Sequence, residues 1–279
     1  MITEDGTHES TPIQERVFRK GSTTYFTSSF FFPEDVRKQV ATLYAFVRVA
    51  DNFVDRVPQD RPGFDSFVGR YREALAGVRT GDPVVDDFVR LMHDRGFDPA
   101  WVEAFLAAMA ADFVRAEYDR LEDTLGYIYG SAEVIGLFMA RILDLPEASL
   151  PYARLLGRAM QYINFIRDLD EDLRLGRRYL PMEGTGLNAL DRGCAKSDPR
   201  SLEKFVRYHL ALYRGWQAEA EKGFHMIPRR YRVPIKTASD MYKWTAQRIE
   251  RTPEIVFNRQ VKPRTSRIVL QGLANVLAS

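Results

Sequence analysis

Residues 33–57, PEDVRKQVATLYAFVRVADNFVDRV, decide the fold class of this chain. The stretch opens with a proline and two acids, which is typical of a helix N-terminus. Apolar residues then recur at steps of three and four, the period of one face of a helix. These residues are Val36, Val40, Leu43, Val47, Ala50 and Val54. The stretch therefore predicts a long amphipathic helix.

The same helical period recurs along the rest of the chain, and no alternating strand pattern stands beside an Asn-Gly or Asp-Gly turn. We therefore predict an all-α fold. Further helices are expected over residues 64–79, 84–94, 99–120, 123–144, 149–176, 200–225, 233–251 and 254–276, and a loop over 184–200. No linker divides the helices, so residues 12–279 are expected to form one domain after a disordered lead at 1–11.

Composition limits the kinds of partner. The chain has 40 basic and 38 acidic residues, a formal net charge of +2, so no bulk charge favours a nucleic-acid partner. The single cysteine, Cys194, excludes an intramolecular disulfide. The most apolar stretch, VIGLFMARILDLP, is interrupted by Arg141 and Asp144 and is too short to span a bilayer. We expect a cytoplasmic protein; peripheral membrane association and the oligomeric state stay open.

A polar stripe runs beside the apolar stripe of the first helix. Tyr44, Arg48, Asp51 and Asp55 stand on one face at helical spacing. Two interpretations are open from this helix alone. The stripe is either an ordinary exposed edge, or it carries two carboxylates that a cation neutralises. Mg²⁺ suits the second interpretation, because it binds one or two carboxylates and keeps positions for substrate phosphate.

A second acidic face lies within residues 161–181, QYINFIRDLDEDLRLGRRYLP. Its members step by three and four along one side of a helix. They are Gln161, Asn164, Asp168 and Asp172. Asp170 and Glu171 fall off this line, so we expect them to be solvated or paired with the arginines at 174, 177 or 178. If the two acidic faces meet across a helical bundle, they form a cage for a divalent metal.

The two acidic stretches together resemble the squalene/phytoene synthase family, the head-to-head prenyl transferases. YAFVRVADNFVD and QYINFIRDLDEDLRLGRRYLP carry the resemblance, and GSTTYFTSSFFFPEDVRK, AMAADF and YIYGSAEVIG extend it over almost the whole chain. Bacterial and archaeal phytoene synthases are the branch that it is most similar to. The resemblance implies a single-domain helical bundle of the class I isoprenoid-synthase type with a central cavity.

The resemblance also implies roles for individual residues. The metal ligands would be Asp51, Asp55, Asn164, Asp168 and Asp172, and the catalytic set would add Tyr129 to the four aspartates. Substrate binding would involve Ser22, Thr24, Tyr44, Arg48, Gln161, Arg167, Tyr242 and Arg259. Two positions depart from the family pattern: Asn52 stands where a second aspartate is common, and Gly21 replaces a histidine. Diphosphate contacts near Gly21 are therefore expected from Ser22, Thr24 or backbone amides.

The implied reaction joins two molecules of geranylgeranyl diphosphate into phytoene through a cyclopropyl diphosphate and releases pyrophosphate, as in carotenoid biosynthesis. The expected cofactor is Mg²⁺, with Mn²⁺ as an alternative; NADPH is expected only if the product is squalene. Small residues at Ser28, Ser29 and Ala41 favour room for C20 tails. Aromatic candidates for cation support or for a tunnel wall are Phe30, Phe31, Phe46, Tyr127, Tyr129 and Trp244.

Three alternatives stay open. The same chemistry with farnesyl diphosphate would give dehydrosqualene, squalene or presqualene diphosphate. A terpene cyclase is disfavoured, because the second acidic stretch does not resemble the Asn-Ser/Thr-Glu pattern that is common in those enzymes. A non-catalytic helical interaction protein would need both acidic faces to be merely solvated, and it would release no pyrophosphate.

Overall fold

The computed structural model describes residues 12–187, 190–191 and 193–278. Within these ranges the chain forms α-helices and no strand, apart from a single bridge between Glu117 and Arg178, so the predicted all-α class is confirmed. The helices are α1 Pro12–Gly21, α2 Thr23–Ser29, α3 Glu34–Asp55, α4 Arg61–Leu75, α5 Pro83–Arg95, α6 Pro99–Ala111, α7 Leu121–Ile128, α8 Val134–Ile142, α9 Leu150–Arg167, α10 Leu169–Arg174, α11 Cys194–Ser197, α12 Pro199–Glu221, α13 Arg229–Arg251 and α14 Thr265–Leu277. None of them is long and apolar enough to cross a bilayer.

Two of the expectations about domain organisation are not tested. The disordered lead at residues 1–11 lies outside the described ranges. The single-domain organisation of residues 12–279 stays a prediction.

Aromatic packing holds the apolar side of α3. Phe46 stacks on Phe88 of α5 with ring centroids 3.7 Å apart and planes at 10°. Phe67 of α4 and Phe105 of α6 lie 5.0 Å and 6.2 Å from the same ring. Phe46 is therefore a core residue and not the tunnel wall for which it was a candidate. The central cavity meets α3 at Tyr44 of the polar stripe and at Val40, Leu43 and Val47 of the apolar stripe.

The central cavity has a volume of about 280 Å³ and lies among several helices. α2, α3 and α13 supply part of its lining, and a π-helical turn, Tyr129–Glu133, supplies another part with α8 and α9. A methyl group added at Gly136 would lie 2.1 Å from the carbonyl oxygen of Ala153, and one at Gly157 would lie 2.3 Å from that of Ala132. The π-helical turn, α8 and α9 therefore pack with their backbones in contact.

Four predicted helices differ from the observed ones. The helix expected over 99–120 ends at Ala111, and the one over 123–144 contains the π-helical turn. The helix over 149–176 divides at Asp168, whose φ of −96° and ψ of 13° end α9 and begin α10. The last helix, expected over 254–276, begins only at Thr265 after a short 3₁₀ turn. Pro263 explains this late start, since proline lacks an N–H group and restricts the residue before it.

The N-terminal helices α1 and α2 have no counterpart among the predicted helices. Ser22 begins α2 as its N-cap, and its hydroxyl oxygen accepts a hydrogen bond from the N–H of Tyr25 at 3.2 Å. A serine that satisfies a free N–H group in this way favours a helix start. The cap brings α2 against α13 and α14, where it closes one side of the cavity.

Candidate active site

The first acidic bank is Asp51 and Asp55, on the last turns of α3. The guanidinium of Arg48 forms an ion pair with Asp51 and lies 3.6 Å from the carboxylate of Asp55. Burial raises the pKa of Asp51 to about 7; the charge of Asp55 adds to this rise and Arg48 opposes it. The predicted polar stripe of α3 is thus one connected group, with two carboxylates held close together.

The second acidic bank is Asp168 and Asp172, where α9 gives way to α10. Arg167 donates from Nε to an oxygen of Asp168 at 2.8 Å. Burial raises the pKa of Asp172 to about 8, and the charges of Asp168 and, more weakly, Asp55 raise it as well. Because the charge of Asp55 acts on Asp172, the first and second acidic banks lie near each other in the fold.

Arg177 was not predicted as a site residue, yet it connects the two acidic banks: its backbone N–H donates to the carbonyl oxygen of Asp172 at 2.8 Å, and its charge opposes the rise in the pKa of that residue's carboxyl. Its guanidinium donates to Asp55 at 3.2 Å and to the carbonyl oxygen of Val54, and only 11% of the side chain is exposed. From the sequence, Arg177 is expected only as one of the possible partners of Asp170 or Glu171. Its real partner is 122 residues away in the chain, so no local pattern could have shown the pair.

The two acids that fall off the second acidic face behave differently. Asp170 is buried and pairs with Arg174, one of its expected partners, so the alternative that it is solvated is wrong. Glu171 is exposed, and it accepts a hydrogen bond from Gln260. This bond joins α10 to the segment that precedes α14.

Asp112, just after α6, is a further buried acid that was not assigned a role. It accepts hydrogen bonds from the hydroxyls of Tyr127 at 2.7 Å and Tyr179 at 2.9 Å. Burial raises its pKa to about 6, and its charge in turn raises the pKa of Asp51. The AMAADF segment, which resembles the middle aspartate segment of the family, was the available signal, and Asp112 is its only aspartate.

Tyr127 and Tyr129 occupy different environments. Tyr127 is bonded to Asp112 and so belongs to the network around the first acidic bank. Tyr129 begins the π-helical turn, and its ring lies under the guanidinium of Arg154, 5.2 Å away. Tyr129 is also absent from the residues that line the cavity, so nothing in the geometry supports its predicted catalytic role, which stays a prediction.

Substrate-binding candidates gather at one end of the cavity. Tyr44, Gln161 and Asn164 line it, and each lies within one or two helical turns of an acidic bank. The side-chain oxygen of Asn164 is buried and accepts no hydrogen bond within the described part of the chain. Tyr242 is buried nearby, with Arg167 among the charges that act on it and its ring 5.9 Å from that of Tyr25. This end of the cavity is polar, whereas most of the remaining lining is apolar.

Two of the three small residues expected to widen the cavity do line it. Ser28 and Ser29 of α2 are in the wall, while Ala41 is not. The other aromatic candidates pack elsewhere: Phe30 is 57% exposed and Trp244 lies under Arg267. Phe31 packs against α14. The rings that do line the cavity are Phe18, Tyr25, Phe32, Tyr44, Tyr152 and Phe224.

Arg259 lies outside the central cavity. It is exposed and lines a separate open concavity of about 640 Å³ beside α14. Its neighbour Gln260 binds Glu171 of α10, so this segment passes close to the second acidic bank. Contact between Arg259 and a diphosphate in the central site therefore stays a prediction.

Comparison with known proteins identifies the family. The family model for squalene/phytoene synthase matches residues 18–267. The chain belongs to the squalene/phytoene synthase family. Members of this family are prenyltransferases, and this chain is an enzyme of that class.

Relatives of the chain match most of its length. The 15-cis-phytoene synthase of Pantoea ananas is 28% identical over 262 residues, covering 88% of this chain and 84% of the relative. That of Enterobacter agglomerans is 30% identical over 237 residues, covering 80% of each. Among solved structures, a dehydrosqualene synthase in complex with a ligand has a TM-score of 0.84 at 21% identity, covering 95% of this chain and 94% of the other. A likeness at that identity shows the shared fold.

At Gly21, where the family often has a histidine, Tyr44 occupies the space that a side chain would need. A methyl group added at Gly21 would lie 2.4 Å from the hydroxyl oxygen of Tyr44, so the tyrosine occupies the space beside this glycine. Ser22, the neighbouring substrate-binding candidate, uses its hydroxyl oxygen to cap α2, and Thr24 is half-buried in the first turn. A side chain at position 21 would displace Tyr44 from the polar end of the cavity.

The donor set formed by the two acidic banks and Asn164 suits a hard cation. Carboxylate and amide oxygens are the ligands that Mg²⁺ prefers, and the unpaired oxygen of Asn164 adds one to the carboxylates. Within the described ranges, however, no three acidic, histidine or cysteine side chains are placed to hold a single ion. The arrangement is two carboxylate pairs, each engaged by arginine, and the metal cage expected from the sequence stays a prediction. Mg²⁺ can bind such pairs, because substrate phosphates and water complete its coordination.

Proposed function

We propose that this enzyme joins two molecules of geranylgeranyl diphosphate head to head and produces phytoene, with Mg²⁺ as its metal. The supporting observation is that the two acidic banks lie beside the polar end of an otherwise apolar cavity. An isoprenoid diphosphate has the same division into a charged head and a long apolar tail. The relatives named phytoene synthase support this product.

The proposed reaction has two ionisations. In the first, the C–O bond of one substrate breaks, pyrophosphate leaves and an allylic cation remains. The double bond of the second substrate attacks this cation, and loss of a proton closes a cyclopropane that still carries one diphosphate. In the second, that diphosphate leaves, the carbon skeleton rearranges and another proton is lost. Two substrates thus give one phytoene, two pyrophosphates and two protons, with no reductant consumed.

Asp51, Asp55, Asp168, Asp172 and Asn164 would hold the metal in this proposal. When bound, Mg²⁺ would neutralise the charge of the departing pyrophosphate. The raised pKa values of Asp51 and Asp172 show that burial and mutual repulsion disfavour the charged carboxylates. A nearby cation relieves that repulsion, so the protein would gain stability on binding it.

Three arginines would position the diphosphates. Arg48, Arg167 and Arg177 each contact a carboxylate of an acidic bank. Guanidinium groups bind phosphate oxygens through paired N–H donors, so these side chains can exchange a carboxylate for a phosphate when substrate enters. Tyr44 and Gln161, which line the same end of the cavity, are the proposed hydrogen-bond donors to the diphosphate.

The apolar part of the cavity would hold the tails and exclude water. Exclusion matters because water would trap the allylic cation before the second substrate reacts. Ser28 and Ser29 place small side chains in this wall, where larger ones would shorten the space for a tail. This supports C20 substrates over C15 substrates.

The test is turnover by the purified enzyme with Mg²⁺ and one substrate at a time. We expect phytoene and pyrophosphate from geranylgeranyl diphosphate. Exclusive use of farnesyl diphosphate would overturn the C20 assignment and leave dehydrosqualene or squalene as the product. Asp168→Asn should lower turnover by about a hundredfold or more, because it removes a proposed metal ligand. Glu171→Gln is the matched control: it removes an exposed charge from the same stretch and should leave turnover close to that of the wild type.

A further inference from the structure

α14 presents apolar side chains to solvent along one face. Its exposed residues recur at steps of one, three and four, so they form a continuous stripe. They are Val269, Leu270, Leu273, Val276 and Leu277, with exposed fractions of 39%, 67%, 51%, 48% and 90%. The sequence has no charged residue between Arg267 and Ala278. We call this set the outer stripe of α14.

Two polar side chains in the middle of α14, Gln271 and Asn275, face inward. Gln271 donates to Asp240 of α13 at 3.0 Å, and Asn275 donates to Asp240 at 3.0 Å and to Thr237 at 3.2 Å. Ile268 and Gly272 are buried on the same side. The helix is therefore anchored to the protein partly by its polar groups, while most of its large apolar groups point outward. This is the reverse of an ordinary surface helix, whose polar face meets water.

A basic concavity adjoins the outer stripe. Leu270 of the stripe lines it, together with five cationic side chains. These are Arg248, Arg259, Lys262, Arg264 and Arg267. Arg267 covers the ring of Trp244 at 5.0 Å. None of the five forms an ion pair with a carboxylate in the part of the chain that the structure describes.

We propose that the outer stripe of α14 and the basic concavity beside it dock this protein on a membrane surface that contains anionic lipid. Leucine and valine side chains would enter the boundary between headgroups and acyl chains, and the cations would meet lipid phosphates. This pairing of an exposed apolar helix face with adjacent basic residues is what interfacial helices use. The inference does not depend on the proposed function.

The size and charge of the surface disfavour a second copy of the chain as the occupant. Stable protein interfaces use about 20–30 residues on each side, whereas the outer stripe has five. Two copies related by a two-fold axis would also bring their basic concavities toward each other, and like charges repel. An anionic lipid surface, in contrast, carries the charge opposite to that of the five cations. It also requires no minimum contact area from the protein.

The test is co-sedimentation of the full-length protein with vesicles of phosphatidylcholine alone and of phosphatidylcholine mixed with phosphatidylglycerol. We expect binding to the mixed vesicles that weakens as salt is added, and much weaker binding to the neutral vesicles. Leu270→Ser with Leu273→Ser should reduce partitioning on the order of tenfold for each leucine. Lys262→Gln with Arg264→Gln should reduce it by roughly fivefold for each cation. These four residues lie outside the proposed catalytic machinery.

The matched control is Val78→Ser with Arg79→Gln, which removes an exposed apolar and an exposed basic side chain from the connection between α4 and α5. It should bind the mixed vesicles as the wild type does. Equal binding by the α14 variants and the wild type would overturn the inference, and so would equal binding to neutral and mixed vesicles. A wild-type dimer that becomes a monomer in the leucine variant would also overturn it, since a second copy would then cover the stripe.

Discussion

Replacing Asp172 by asparagine should stabilise the metal-free enzyme while removing its activity. Burial and the charge of Asp168 raise the pKa of Asp172 to about 8, so its carboxylate is unfavourable in the folded protein. Asparagine has nearly the same shape and no charge. The variant therefore removes the repulsion and leaves the packing of α10 in place.

The size and pH dependence of this effect follow from proton linkage. Well below the unfolded pKa of 3.8 the side chain is protonated in both the folded and the unfolded chain, so its charge has no effect on stability. As the pH rises toward 8, the unfolded chain releases its proton first and the folded wild type loses stability. Raising the pKa from 3.8 to about 8 corresponds to at most about 6 kcal/mol. Solvent entry and small movements reduce such a penalty, so we expect about 2–3 kcal/mol.

The assay is thermal unfolding of the wild type and Asp172→Asn without metal, from about pH 5 to about pH 9. The melting temperature of the variant should exceed that of the wild type by a margin that grows with pH and reaches about 5–10 °C. Glu171→Gln removes an exposed charge one residue away and should show no comparable growth. Adding Mg²⁺ should stabilise the wild type more than Asp172→Asn. A constant or shrinking margin across this range would refute the reasoning.

The remaining predictions concern two buried hydrogen-bond networks. Tyr127→Phe removes the hydrogen bond to Asp112, so it should lower the free energy of unfolding by about 1–2 kcal/mol and reduce turnover. Tyr129→Phe should change both quantities less. A larger loss of turnover in Tyr129→Phe than in Tyr127→Phe would support the catalytic role predicted for Tyr129 from the sequence. His209 of α12 is buried and shares hydrogen bonds with the hydroxyl of Tyr162 at 2.7 Å and with the carbonyl oxygen of Pro181 at 3.2 Å. Burial lowers the pKa of His209 to about 3, so the wild type should lose about 2 kcal/mol of stability between about pH 7.5 and pH 5 as the unfolded chain takes up the proton. His209→Gln should flatten this part of the stability curve, and an unchanged slope in equilibrium unfolding would contradict the assignment.

Local periodicity predicted most of the helices because each helix buries one continuous stripe. The stripe that begins at Val36 placed α3 within two residues of its observed ends. The same argument failed at the π-helical turn, because a change in hydrogen-bond register leaves the apolar spacing almost unaltered. It failed again at Asp168, where a single residue with non-helical angles separates α9 from α10. No proline or glycine stands beside Asp168, and Gly130 within the π-helical turn does not by itself distinguish that turn from an ordinary helix.

The site was predictable where its members share a helix face. Tyr44, Arg48, Asp51 and Asp55 form one group because a helix repeats every 3.6 residues. Helical spacing could not identify Arg177 and Asp112 as site residues, because each meets its partners only after distant segments pack together. Arg177 reaches α3 from beyond α10, and Asp112 meets Tyr179 across 67 residues of sequence. Contacts of this kind depend on tertiary structure and have no spacing to recognise.

The backbone contacts at Gly136 and Gly157 limit how this enzyme can evolve toward other substrates. A carbonyl oxygen stands where any side chain at either position would begin, so α8, α9 and the π-helical turn cannot accept one there without moving apart. New room in the cavity then comes from the wall built by side chains, on α2, α3, α8, α9 and α13. Libraries intended to lengthen or shorten the product should vary that wall and leave the two glycines unchanged.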